Sequence, residues 1–137
     1  MKIVLDTNVI VSGLLSPYNA PGEIVRMVSS GILKLCYDAR ILSEYQSVLL
    51  RPKFKFDSEH IDALIDQIKA CGCITASEPI PKKLPDTDDE AFLEVALAGK
   101  ASYLITGNLI HYPIELCQEM KVVSPAEFID IYRKSGL

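Results

Sequence analysis

The stretch Lys2-Ile3-Val4-Leu5-Asp6-Thr7-Asn8 (residues 2–8) sets the reading of the whole chain. Lys2 to Leu5 is a short apolar run with β-branched residues, bounded by an acid. It reads as a buried strand, with a helix or turn starting near Thr7. Similar short apolar runs recur at residues 32–36, 73–75, 103–105 and 121–123. The segments between them carry helical periodicity. Ile61, Leu64, Ile65 and Ile68 follow the i, i+3, i+4, i+7 pattern, with Ser58 as the expected N-cap. Ile41, Leu42, Tyr45, Val48 and Leu49 repeat it one helix earlier.

Two helix starts are explicit. Thr87-Asp88-Asp89-Glu90 and Ser124-Pro125-Ala126-Glu127 both match the capping box, and the second places proline where its missing N–H costs nothing. Gly31 and Gly99 fall where helices should end before the next strands. Residues 77–85, with three prolines, read as a loop. Short, continuously apolar strands alternating with helices predict one α/β domain over residues 1–137. Its core would be a parallel sheet of about five short strands, flanked by helices on both faces.

The 137 residues carry 18 acids and 14 bases, a net charge of −4, which excludes a generally basic nucleic-acid binder. The acidity is local. Five acids lie between Asp86 and Glu94, and without them the remaining chain has a charge of +1. No apolar stretch of about 20 residues exists to span a bilayer. Asp6 interrupts the N-terminal apolar run, which argues against a secretory signal. Cys36, Cys71, Cys73 and Cys117 lack zinc-finger spacing. They read as reduced thiols of a cytoplasmic protein.

In open parallel sheets, ligands bind beyond the carboxyl ends of the strands. Asp6 ends the first strand, Thr106-Gly107-Asn108 follows the fourth, and Asp89 opens the intervening helix. Asp6 can cap a helix or hold a metal. Glu44 flanks the buried stripe of its helix, so it snorkels outward or meets a cation. Asp88, Asp89 and Glu90 suit a helix N-terminus electrostatically, but capping does not require both aspartates. Arg51-Pro52-Lys53-Phe54-Lys55-Phe56 interleaves three bases with two aromatics. That pattern fits phosphate contact with base stacking, or a helix end whose phenylalanines close the core. Lys82 and Lys83 read as an ordinary solvated loop.

Ile3-Val4-Leu5-Asp6-Thr7-Asn8-Val9, with Ser12 shortly after, resembles the first motif of the PIN-domain nucleases. Glu44 in Ser43-Glu44-Tyr45-Gln46-Ser47-Val48-Leu49 resembles the second, and the run from Asp86 to Ala96 the third. Counting from Asp89 gives Leu93 and Ala96 at the family's small or apolar positions. Tyr103-Leu104-Ile105-Thr106-Gly107-Asn108 resembles the fourth motif. The similarity runs along essentially the whole chain, and its nearest subgroup is the PIN toxins of prokaryotic toxin–antitoxin pairs. Many members have an aspartate where this chain has Asn108, and another where it has His111. His111 reads as a loop residue, because a hard cation prefers oxygen.

The resemblance implies a Mg²⁺- or Mn²⁺-dependent endoribonuclease acting on single-stranded RNA. Asp6, Asp89 and Glu44 would be its catalytic and metal-binding residues. Asn108, Thr106 and Asn8 would lie around the metal and its waters, with Asp86 and Asp88 as auxiliary acids. Arg51, Lys53 and Lys55 would grip RNA. The partners implied are RNA, a cognate antitoxin and further copies of the chain, with no membrane. Receiver domains need an acidic pair at the first strand, and haloacid-dehalogenase phosphatases need Asp-x-Asp there. Neither fits Asp6-Thr7-Asn8. The competing reading is a weakly active or inactive PIN-like scaffold that binds RNA or a protein.

Overall fold

The computed structural model describes residues 1–135. Five strands are assigned: β1 Lys2–Leu5, β2 Lys34–Tyr37, β3 Cys73–Ile74, β4 Tyr103–Ile105 and β5 Val122–Val123. Six helices accompany them: α1 Thr7–Leu15, α2 Ala20–Ser29, α3 Ala39–Leu49, α4 Ser58–Cys71, α5 Glu90–Ala98 and α6 Pro125–Lys134. The strands form one sheet in the order β3-β2-β1-β4-β5. Every pairing is parallel, with Ile3 opposite both Leu35 and Tyr103, and Leu5 opposite Ile105.

Successive side chains of a strand face opposite sides of the sheet. Ile3, Val4 and Leu5 are all sealed from solvent, so β1 is covered on both faces. Leu35 with Cys36, and Leu104 with Ile105, repeat this on the neighbouring strands. The continuous apolar character of these segments is therefore a direct consequence of two-sided burial. Among the described residues, no helix is long and apolar enough to cross a membrane.

The second strand starts two residues later than the sequence suggests. Gly31 takes a φ of +81°, open to glycine at little cost, and the chain turns there after α2. Leu33 then donates its amide to Met27 O at 3.2 Å, which ties residues 32–33 to the helix end instead of the sheet. Ile32 stays exposed as a result.

Three capping expectations resolve differently. Ser124 and Glu127 form the full capping box on α6, with bonds of 3.1 and 3.3 Å. Ser58 is the first residue of α4, and Asp57 is the cap, accepting from the Glu59 amide at 2.9 Å. The Thr87–Glu90 box does not form. Thr87–Asp89 is a 3-10 turn capped by Asp86, and α5 starts at Glu90. Glu90 instead accepts the Leu84 amide at 2.9 Å, and Glu94 accepts the Ile80 amide at 3.1 Å while pairing with Arg40 at 2.7 Å. These two buried carboxylates hold the proline-rich loop against α5, and that non-local demand displaces the local cap.

Candidate active site

The strand order reverses direction between β1 and β4, which makes a crevice at their carboxyl ends. Asp6 sits at its base. Its amide continues the ladder to Ile105 O at 3.0 Å. Its carboxylate makes no side-chain capping bond to α1. Instead Asp6 Oδ2 accepts from Thr106 Oγ1 at 2.8 Å and from the Tyr112 hydroxyl at 3.2 Å. Asp6 thus occupies the N-cap position of α1 without its side chain acting as a cap.

The residues beside Asp6 organise the rest. Thr7 donates its hydroxyl to Glu44 Oε2, so Glu44 is drawn towards the start of α1 and is half-buried. Next to it on α3, Tyr45 is fully buried and donates to Leu5 O at 2.5 Å, which fastens the helix to the end of β1. Asn8 Oδ1 accepts the Gly107 amide at 2.9 Å and clamps the loop after β4. A Cβ on residue 107 would lie 3.2 Å from that same oxygen, so glycine allows the close approach. Thr106 is buried and also accepts the Asn108 amide at 3.0 Å. Its hydroxyl is thus committed to Asp6 and the loop backbone. The Asn108 side chain is exposed at the start of a 3-10 turn over Leu109–His111 and makes no cap bond.

Asp89 enters from the turn before α5 and is 8% exposed. Its Oδ2 is buried without an aligned hydrogen-bond partner among the described residues. That oxygen lies 3.0 Å from His111 Nδ1. Asp86, Asp89 and His111 each present a ligand atom, all within 4.8 Å of one another. Asp6 and Glu44 stand outside that group of three. Asp86 is exposed and spends one oxygen on the Asp88 amide at 2.9 Å, while Asp88 points to the surface. A cavity of about 410 Å³ opens beside these acids, lined by Glu44, Thr87, Asp88, Arg40 and Lys83 among others.

Burial raises the pKa of each central acid, and the charges of neighbouring acids add to it at Asp89 and Glu44. Asp89 is pushed up to about 6, first by burial and then by the charges of Asp6 and Asp86, with His111 opposing. Burial also raises Asp6, against the stabilising bonds from Thr106 and Tyr112. Glu44 rises through burial, offset by Thr7 and reinforced by Asp6, Asp88 and Asp86. Tyr112 is held neutral far above its ordinary range by burial beside Asp6, and so remains a hydrogen-bond donor. Three carboxylates whose charged forms burial disfavours, two of them also repelled by neighbouring acids, with one buried oxygen unpartnered, fit a divalent cation by charge and donor type.

The basic strip lies elsewhere. Arg51, Lys53 and Lys55 are exposed around a 3-10 turn at Pro52–Phe54. Phe54 and Phe56 stack on each other at 5.5 Å, with Lys53 Nζ 5.1 Å from the Phe54 centroid. The strip therefore offers charge more than free ring faces.

Two site residues escape the sequence reading. Tyr112 gives no local signal, since only the fold brings its hydroxyl to Asp6. His111 is visible as a residue closely following β4, but it reads as a loop residue until the 3-10 turn carries it to Asp89.

An uncharacterised protein of Methanocaldococcus jannaschii is 28% identical over 147 aligned positions, covering 98% of this chain and 93% of its own. Among solved structures, VapBC2 from Rickettsia felis bound to a DNA fragment from their promoter superposes with a TM-score of 0.56. That match covers 90% of this chain and 98% of the other at 12% identity, a likeness of fold. The profile of the PIN domain matches residues 2–109, more than three-quarters of the sequence and all four motif regions up to Asn108. This chain belongs to the PIN-domain family.

Proposed function

We propose that this protein is a metal-dependent endoribonuclease that cleaves single-stranded RNA. The observation that carries the reading is the buried, unpartnered Asp89 Oδ2, on a carboxylate near enough to Asp6 for its charge to act on it, as Asp6 also acts on Glu44. Asp6 and Asp89 would be the principal ligands of Mg²⁺ or Mn²⁺, with Glu44 completing the cluster or positioning the attacking water. When bound, the cation supplies a water acidified to a nucleophile and neutralises charge on the phosphate oxygens.

The chain's own residues do the positioning. Thr106 and Tyr112 aim the Asp6 carboxylate by donating to one of its oxygens, leaving the other for ligation. Thr7 holds Glu44, and Asn8 fixes the loop that carries Asn108 over the crevice. Arg51, Lys53 and Lys55 would contact backbone phosphates away from the cut. Asp86 and Asp88 add negative potential at the rim.

The motif resemblance to PIN toxins, with a fold shared with the VapBC2 structure, favours a toxin with a cognate antitoxin and self-association in the cytoplasm. Exposed Ile110 and Ile114, close in sequence to His111, supply apolar surface for a protein partner beside the site.

The test is thermal unfolding of the full chain with and without Mn²⁺. The expected result is a Mn²⁺-dependent rise in Tm for the wild type that Asp6→Asn abolishes. A scaffold that binds RNA without cutting it would show no such rise.

A further inference from the structure

We propose that His111 is a metal ligand together with Asp86 and Asp89, and that this imidazole makes the site select a first-row transition cation over Mg²⁺. The inference rests on the reading of Asp89 as a ligand and deepens it by naming the class of ion.

The contact between Asp89 and His111 carries the argument. A carboxylate oxygen and a ring nitrogen approach to 3.0 Å, yet Oδ2 has no aligned hydrogen to accept. Two donor atoms bound side by side to one octahedral ion, with bonds of about 2.1 Å, stand about 3 Å apart. The pair is therefore spaced as neighbouring ligands of one cation. Both are held from outside. Asp89 is fixed in the 3-10 turn that leads into α5. The His111 amide bonds Asn108 O at 3.0 Å, and Tyr112, the next residue, is anchored on Asp6. Asp86 lies within the 4.8 Å span and keeps a second oxygen beyond the one that caps Asp88.

Ligand type then decides selectivity. Mg²⁺ is hard, takes oxygen donors and keeps most of its waters. One imidazole among carboxylates makes a mixed nitrogen–oxygen set, and affinity for such sets rises from Mn²⁺ to Co²⁺ and beyond. Neutral Asn108 at the motif position where many relatives have an acid removes negative charge that would otherwise favour a hard ion.

The experiment is a titration of the full-length protein with Co²⁺, read by its visible d–d absorption, with Mg²⁺ as competitor and no RNA present. The wild type is expected to bind Co²⁺ far more tightly than Mg²⁺. His111→Ala should weaken Co²⁺ by about ten-fold or more and shift the d–d bands, while Mg²⁺ affinity changes little. His111→Asp should narrow the gap by favouring Mg²⁺. Equal Co²⁺ affinity and identical bands in the wild type and His111→Ala would overturn the proposal, as would a wild type that binds no cation. A wild type that binds Co²⁺ through His111 yet leaves RNA intact supports this site and sinks the ribonuclease reading alone.

Discussion

Asp89 is costly to bury as an anion, and the neighbouring His111 offsets only part of that cost. A carboxyl group whose pKa rises from 3.8 to about 6 on folding corresponds to roughly 2–3 kcal/mol. The sign follows from linkage. The folded state holds the proton more tightly, so this contribution is fully present below about pH 4 and is lost as pH rises through 6. The metal-free protein should therefore gain stability from this residue as pH falls from 7 towards 5. Asp89→Asn should flatten that slope and stabilise the metal-free fold near neutrality, in urea melts at each pH. A variant with an unchanged slope would show that Asp89 is not the strained group. The placement of Asp6 and Asp89 at a strand end and a helix start was legible in sequence, whereas Glu44 stood out by flanking the buried stripe of its helix and by its motif. Tyr112 and His111 were not legible, because their roles depend on a turn that carries them across to acids far away in sequence.

At the scale of elements, the loop at 77–85 is held by side chains of α5. Glu94 satisfies the Ile80 amide and Arg40 together, and Glu90 satisfies the Leu84 amide. Glu94→Ala would leave a buried amide unpaired, at a cost of about 1–3 kcal/mol. Ser124→Ala removes half of a solvent-exposed capping box and should cost about 1 kcal/mol. Denaturant melts of both variants should rank Glu94→Ala as the more damaging. The reverse order would mean that the loop is held by its prolines alone. This contrast also shows why one capping box could be read and the other could not. Ser124 and Glu127 find each other within one helical turn, whereas Glu90 answers to a loop amide that precedes the helix. The strands were readable as apolar runs, but their starts moved by a residue or two where a turn such as that at Gly31 took the first positions.

The whole molecule separates its charges. The net −4 is produced by the acids of one segment, while Arg51, Lys53 and Lys55 stay exposed on another. The parallel character of the sheet was legible from two-sided apolar strands. The order β3-β2-β1-β4-β5 was not, since strand pairing is decided between distant segments. That order is what places Asp6 and Thr106 at a common edge. If the basic strip binds RNA through phosphates, Lys53→Ala with Lys55→Ala should weaken binding of a single strand across sequences. The slope of log K against log salt should become shallower by about 1.4, the value for two lost contacts. An unchanged slope would move RNA recognition to another surface.

The most direct measurement is cleavage of a single-stranded RNA by protein stripped with a chelator and then resupplied with Mn²⁺. Wild type, Asp6→Asn and Asp89→Asn are compared after each is shown to be folded. The expected result is no cleavage without metal, restoration by Mn²⁺ in the wild type, and background cleavage in both variants. Wild-type cleavage rates in Asp6→Asn and Asp89→Asn, or cleavage indifferent to the chelator, would contradict the account.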